Sequence, residues 1–104
     1  MTKSGTVYKL GDVVLVEVPF TDSAQVKLRP ALVLFEEFNN VVVAGITSNR
    51  NMKGIVITEQ EGLLTDSVIK INYIFTVAGQ KIRKLLVSLS EEKRDLVRRE
   101  IGKN

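Results

Sequence analysis

Apolar residues along this chain fall into short runs separated by polar turns, and the runs have the length of strands. The first, Val13 to Val18, is a nearly continuous β-branched stretch broken only by Leu15 and Glu17. Pro30 to Phe35 and Val41 to Ile46 follow. Branched and aromatic side chains of this kind suit a pleated surface better than a helix. Between the last two runs lies Glu36-Glu37-Phe38-Asn39-Asn40, whose paired asparagines are expected to supply the positive φ of a tight hairpin. A turn-like Ser48-Asn49-Arg50-Asn51 precedes a fourth strand from Gly54 to Thr58; Ser67 to Ile71 and Tyr73 to Val77 supply one or two more. Short strands at close spacing predict a small antiparallel barrel rather than a parallel α/β sheet.

The pattern changes near the end of the sequence. Ser88-Leu89-Ser90-Glu91 matches a capping box, with Ser90 as the alternative N-cap. Glu91, Glu92 and Asp95 come early while Arg98, Arg99 and Lys103 come late, which complements a helix dipole. Leu89, Leu96, Val97 and Ile101 form an apolar stripe for docking on the barrel. A shorter helical turn is expected around Lys81 to Leu86. No repeat, linker or low-complexity tract appears, so residues 1–104 read as a single, mainly β domain with a C-terminal α-helix.

Composition changes the picture mainly by exclusion. The chain has 104 residues, enough for one modest core, and neither cysteine nor histidine. Disulfides, thiolate metal sites, histidine-pair ribonuclease chemistry and Ser-His or Cys-His nucleophiles are therefore ruled out. A metal site would need carboxylates alone, and no calcium-loop or two-metal pattern is visible, so no metal or other cofactor is expected. No apolar run approaches the roughly 18 residues of a membrane span. Met1 to Thr6 lacks the apolar centre of a secretory signal, and a cytoplasmic location is the expectation. The formal charge of +3 is uneven: residues 81–104 hold eight Lys/Arg against four Asp/Glu, which leaves −1 for the first 80. Such a tail is ordinarily a solvated helix face, though it is compatible with a nucleic-acid partner.

Candidate chemistry gathers at the ends of the strands. Arg29 stands before Pro30, which biases it toward extended geometry and helps fix where its side chain leaves the backbone. A guanidinium grips a phosphate through two parallel hydrogen bonds; its ordinary alternative here is an ion pair with Glu17 or Asp22. Thr47 and Ser48 end a buried run, where their hydroxyls can either serve a phosphate or satisfy a strand-end backbone group. Lys27, Asn49, Arg50 and Lys53 can surround the same opening and draw in a polyanion, or be plain loop residues. Phe20 can stack an unpaired base or cap the core, with the two readings evenly matched. Tyr73 is expected at the rim and Phe75 in the core. Glu17 reads first as simple outward alternation.

In order along the chain, Tyr8-Lys9-Leu10-Gly11-Asp12-Val13-Val14-Leu15-Val16, Pro19-Phe20-Thr21-Asp22, Arg29-Pro30-Ala31-Leu32-Val33-Leu34 and Ile46-Thr47-Ser48 resemble the PemK/MazF family of toxins. Gly62-Leu63, Ser67-Val68, Ile74-Phe75-Thr76 and Leu89-Ser90-Glu91-Glu92 continue the match over roughly residues 8–101. The resemblance implies a Src-homology-3-like antiparallel β-barrel, a homodimer, and a toxin of a type II toxin–antitoxin system held by an acidic antitoxin. It also implies metal-independent, sequence-specific endoribonuclease activity on single-stranded RNA (an mRNA interferase) by 2′-hydroxyl transesterification. Arg29 and Thr47 would then be catalytic, with Phe20, Lys27, Ser48, Asn49, Arg50 and Lys53 binding RNA. Neither a guanidinium nor an alcohol accepts a proton readily near neutral pH, so Glu17 or solvent would take it. Asn72-Tyr73 and the glycine-poor loop Ser23 to Leu28 depart from many relatives. A CcdB-like gyrase-binding toxin and a non-catalytic RNA-binding barrel are the alternative readings.

Overall fold

The computed structural model describes residues 8–19, 25–49, 51, 53–63 and 65–102. Among the described residues six strands form one antiparallel sheet: β1 (Asp12–Pro19), β2 (Val26–Glu37), β3 (Asn40–Thr47), β4 (Ile55–Ile57), β5 (Ser67–Ala78) and β6 (Ile82–Ser88). Their order across the sheet is β4-β5-β3-β2-β1-β6, and α1 (Glu91–Gly102) follows the last strand. The sheet curls into a half-barrel. β4 and β6 are its two edges, and Gly62, in the chain after β4, lies against β6. There Gly62 adopts φ +110°, a left-handed conformation that L side chains rarely take. A β-carbon at Gly62 would come 3.0 Å from Val87 Cγ2, so the backbone rests directly on β6.

The sheet is buried on both faces, which explains why Val13 to Val16 is continuous rather than alternating. Val13 packs with Leu32, Ala44, Ile57 and Ile69, beneath Leu89 and Val97 of the helix segment. Val14 and Val16 pack on the opposite face with Ala31, Val33, Val43 and Ile82. Leu96 and Ile101 add to the first cluster, so the apolar stripe of α1 is docked on the barrel as its spacing predicts. Among the described residues no helix is long and apolar enough to cross a membrane.

Four local expectations are corrected. Lys81 to Leu86 is not a helical turn: a 3-10 turn covers Gly79–Lys81, and Ile82–Ser88 runs as β6 against β1. The β2–β3 hairpin takes its positive φ from Phe38 (51°) and Asn39 (68°), while Asn40 already pairs with Glu37. The turn therefore begins one residue earlier than the asparagine pair suggests. At α1 the N-cap is Ser90, whose Oγ accepts the Lys93 N–H at 3.3 Å. Ser88 instead donates to Asp12 Oδ1 at 2.8 Å. Finally, Val26 to Leu28 belong to β2 rather than to the loop before it.

Of the one or two strands expected over Ser67 to Ile71 and Tyr73 to Val77, the structure has one, β5, with a bulge near Asn72. β3 pairs Ala44 with Ile74 and the next residue, Gly45, with Lys70, so Ile71, Asn72 and Tyr73 have no partner on β3. A bulge of this kind bends its strand and re-aims the side chains in it.

Candidate functional site

Two neighbouring strands bring the chief candidates together. β2 sets Arg29 opposite Val16 and Ala31 opposite Gly45, while β3 carries Gly45 and, two residues on, Thr47. Side chains two apart on a strand share a face, so Arg29 and Thr47 project from the same side of the sheet. Both line one cavity of about 560 Å³. Ser48, Gly45, Lys70 and Tyr73 stand with them, over an apolar wall that includes Val18, Pro30 and Phe75. Thr65 and Ser67 add hydroxyls on the β5 side.

The described lining contains two cations, Arg29 and Lys70, and no carboxylate. The ion pair anticipated for Arg29 does not form with Glu17, which is bonded to Arg83 and lies 3.7 Å from Lys81. Register explains the separation. Arg29 faces Val16 across the ladder, and Glu17, one residue further, turns to the other side. Asp22 falls outside the described residues. Among the described residues, Arg29 has no carboxylate partner, and its charge is available to an anion.

Thr47 is half-buried, and its Oγ1 accepts the Asn49 N–H at 3.1 Å. This is the strand-end role that such hydroxyls commonly take. It occupies one acceptor site and leaves the O–H hydrogen free to donate. Asn49 Oδ1 in turn accepts the Asn51 N–H at 3.1 Å, so two consecutive side-chain turns hold the β3 exit in shape. Asn49 thus shapes the rim rather than lining the cavity.

Of the remaining candidates, Lys27 is exposed on β2, two residues before Arg29 and outside the cavity wall. Lys53 lines a different cavity, between β4 and α1, with Val56, Lys93 and Leu96. Phe20 and Arg50 lie outside the described residues. Tyr73 is at the rim and Phe75 packs against the second core cluster, as their spacing suggests. Lys70 is the residue that sequence reasoning missed. Its signal is a single cation interrupting the apolar run Val68-Ile69-Lys70-Ile71. Among the described residues, no three acidic side chains converge in a group able to hold a metal.

A family model of PemK-like, MazF-like toxins of type II toxin–antitoxin systems matches residues 9–104. No match to an individual curated protein accompanies it. Among solved structures, a Mycobacterium tuberculosis toxin, MazF-mt6, is similar at 21% identity and TM-score 0.72, over 88% of this chain and 93% of its own. A MazE–MazF structure from Deinococcus radiodurans is similar at 19% identity and TM-score 0.75, over 95% and 96%. MazF from the same organism aligns at 21% identity and TM-score 0.69, also over 95% and 96%. At such identities the solved structures speak for the fold, while the family model spans nearly the whole sequence. The chain belongs to the PemK-like, MazF-like family of toxins of type II toxin–antitoxin systems.

Proposed function

We propose that this protein is a sequence-specific, metal-independent endoribonuclease that cuts single-stranded RNA, and that an acidic antitoxin restrains it. The observation that carries the proposal is the convergence of Arg29 and Thr47 on one cavity whose described lining holds two cations and no carboxylate. A polyanion is the ligand such a lining favours. A reaction in which the substrate supplies the nucleophile, as the family resemblance implies, suits a sequence with neither histidine nor cysteine.

RNA does so through its 2′-hydroxyl. That oxygen attacks the adjacent phosphorus, the bond from phosphorus to the 5′-oxygen breaks, and the products carry a 2′,3′-cyclic phosphate and a 5′-hydroxyl. The proton lost by the 2′-oxygen passes to solvent, because Glu17 is engaged by Arg83 on the other side of the strand. Another proton from solvent completes the departing 5′-hydroxyl. Arg29 stabilises the negative charge that grows on the non-bridging oxygens, a contribution worth most where donors are already in place. The Thr47 O–H donates to one of those oxygens, and the Asn49 contact fixes its direction. Lys70 adds a second positive charge to the pocket. The MazE–MazF assembly among the similar structures supports an antitoxin partner, and a homodimer is the expected working form.

One experiment tests the reading: a long RNA is incubated with pure protein in EDTA and its new 5′ ends are mapped. Discrete cuts bearing 5′-hydroxyls are expected, absent with Arg29→Ala. An uncut RNA, or cutting that chelation suppresses, would overturn it.

A further inference from the structure

Tyr73 stands in the Arg29–Thr47 cavity with no task in the chemistry above. It is 52% exposed, yet three contacts fix its ring. The ring lies against the backbone of Gly45, where a β-carbon would come 2.6 Å from Cδ2. The Phe75 ring is 5.2 Å away, centroid to centroid, tilted by 41°. The Lys70 ammonium sits 5.2 Å from the Tyr73 centroid, within the range of a cation–π contact. The bulge after Lys70 takes Tyr73 out of the ladder with β3 and brings it to the cavity mouth. A half-exposed ring on a strand commonly turns into a neighbour for burial. This one is held in the open, beside two cations.

We infer that Tyr73 is a stacking platform for an unpaired nucleobase flanking the phosphate that Arg29 binds. Without RNA the Lys70 ammonium lies over the ring, and a stacking base displaces it toward the neighbouring phosphate. An aromatic ring held in one orientation loses little conformational freedom on binding, which favours it as a base contact. The platform selects for single strands, because a base paired in a duplex cannot present its face to the ring. This inference rests on the endoribonuclease reading and assigns a specificity contact within the same site.

The test uses a short RNA containing the mapped cut site, made uncleavable by a 2′-deoxy nucleotide at the scissile position. Affinity is measured by fluorescence anisotropy for this oligomer and for versions with an abasic nucleotide on either side of the cut. Wild-type protein should lose about 5- to 150-fold in affinity for one of the two abasic oligomers. Tyr73→Phe should behave as wild type, while Tyr73→Leu should bind the intact oligomer about as weakly as wild type binds the abasic one. Removing the base should then cost Tyr73→Leu nothing further. An abasic penalty unchanged in Tyr73→Leu, or no penalty at either position in wild type, overturns the platform. Should Tyr73→Leu fail to fold, as judged by circular dichroism, Tyr73→Met takes its place in the same comparison with the same expected and overturning results. Wild-type protein that cuts RNA yet shows no coupling sinks only this inference. Wild-type protein that neither binds nor cuts sinks the endoribonuclease reading and the platform together.

Discussion

The Tyr73 ring occupies the space above Gly45 that any larger residue would fill, with Cδ2 only 2.6 Å from the position of a β-carbon there. Gly45→Ala must therefore displace the ring or strain the β3 backbone, since the position is buried and bridged to both Ala31 and Lys70. Overpacking of this kind costs about 1–3 kcal/mol. The expected outcome is a lower urea midpoint and a lower cleavage rate. Adding Tyr73→Leu to Gly45→Ala should restore part of the lost stability, because the clash then has no second partner. Additive losses in the double variant would show that the ring is not what limits the site.

Arg29 is exposed and makes no ion pair among the described residues, so its removal should leave the fold alone. Arg29→Ala is expected to shift the melting temperature by less than about 4 °C, as surface changes usually fall within ~0.5 kcal/mol. Cleavage should drop about 100- to 1000-fold, the loss seen when one donor to a developing oxyanion is removed. Arg29→Lys keeps the charge but not the paired donors and should recover only part of the rate. Single-turnover kinetics alongside thermal melts provide the measurement.

Strand positions and the docked helix were legible in the sequence because they follow local rules. The β-branched runs mark β1, β2 and β3, and the stripe Leu89, Leu96, Val97, Ile101 marks the buried face of the helix segment. What escaped depends on partners distant in the chain. Ile82–Ser88 is polar enough to suggest a turn, and only pairing with β1 makes it a strand. Ser88 resembles an N-cap, yet Asp12, 76 residues away, accepts its hydroxyl. Proximity of Arg29 to Thr47 follows from the Ala31–Gly45 register, and Lys70 joins them only because a bulge sets it opposite Gly45. No spacing within β5 announces that bulge.

Thr47 serves both the turn and the cavity, and two substitutions separate these tasks. Thr47→Ser keeps the oxygen that accepts the Asn49 N–H and the hydrogen that donates. Its cleavage rate should stay within about tenfold of wild type, a difference of ~1.4 kcal/mol. Thr47→Val preserves shape but loses both interactions, and should cost about 1 kcal/mol in stability together with a larger loss of rate. Equal rates for the two variants, measured on one RNA, would remove the hydroxyl from the reaction.

Glu17 is held by Arg83 and Lys81 on the side of β1 away from Arg29, with its side chain only 12% exposed. Glu17→Gln should therefore leave the rate within about twofold and the shape of the pH–rate profile unchanged. Loss of the acidic limb of that profile in Glu17→Gln would instead make Glu17 the proton acceptor.

Asp12 anchors the start of β1 to the end of β6 and to α1, and its partners are unequal. Its carboxylate accepts the Ser88 hydroxyl at 2.8 Å and the Lys9 N–H at 3.1 Å, while Arg94 Nη2 stands 3.8 Å away. Arg94 also faces Glu91 at 3.6 Å, and its Nε is buried with no hydrogen-bond partner among the described residues. Removing the acceptor is therefore worse than removing this donor. Asp12→Ala strands a hydroxyl, a backbone N–H and a largely buried cation, at a cost of about 3 kcal/mol. Arg94→Met keeps the stem that packs over Gly11, removes the orphaned Nε, and leaves Asp12 with both of its short hydrogen bonds. It should cost no more than about 1 kcal/mol. Urea unfolding of the two variants reads the difference, and cleavage by the folded protein should be unaffected in both. If Arg94→Met proves as damaging as Asp12→Ala, the ion pair rather than the hydrogen-bonded carboxylate holds the helix to the barrel.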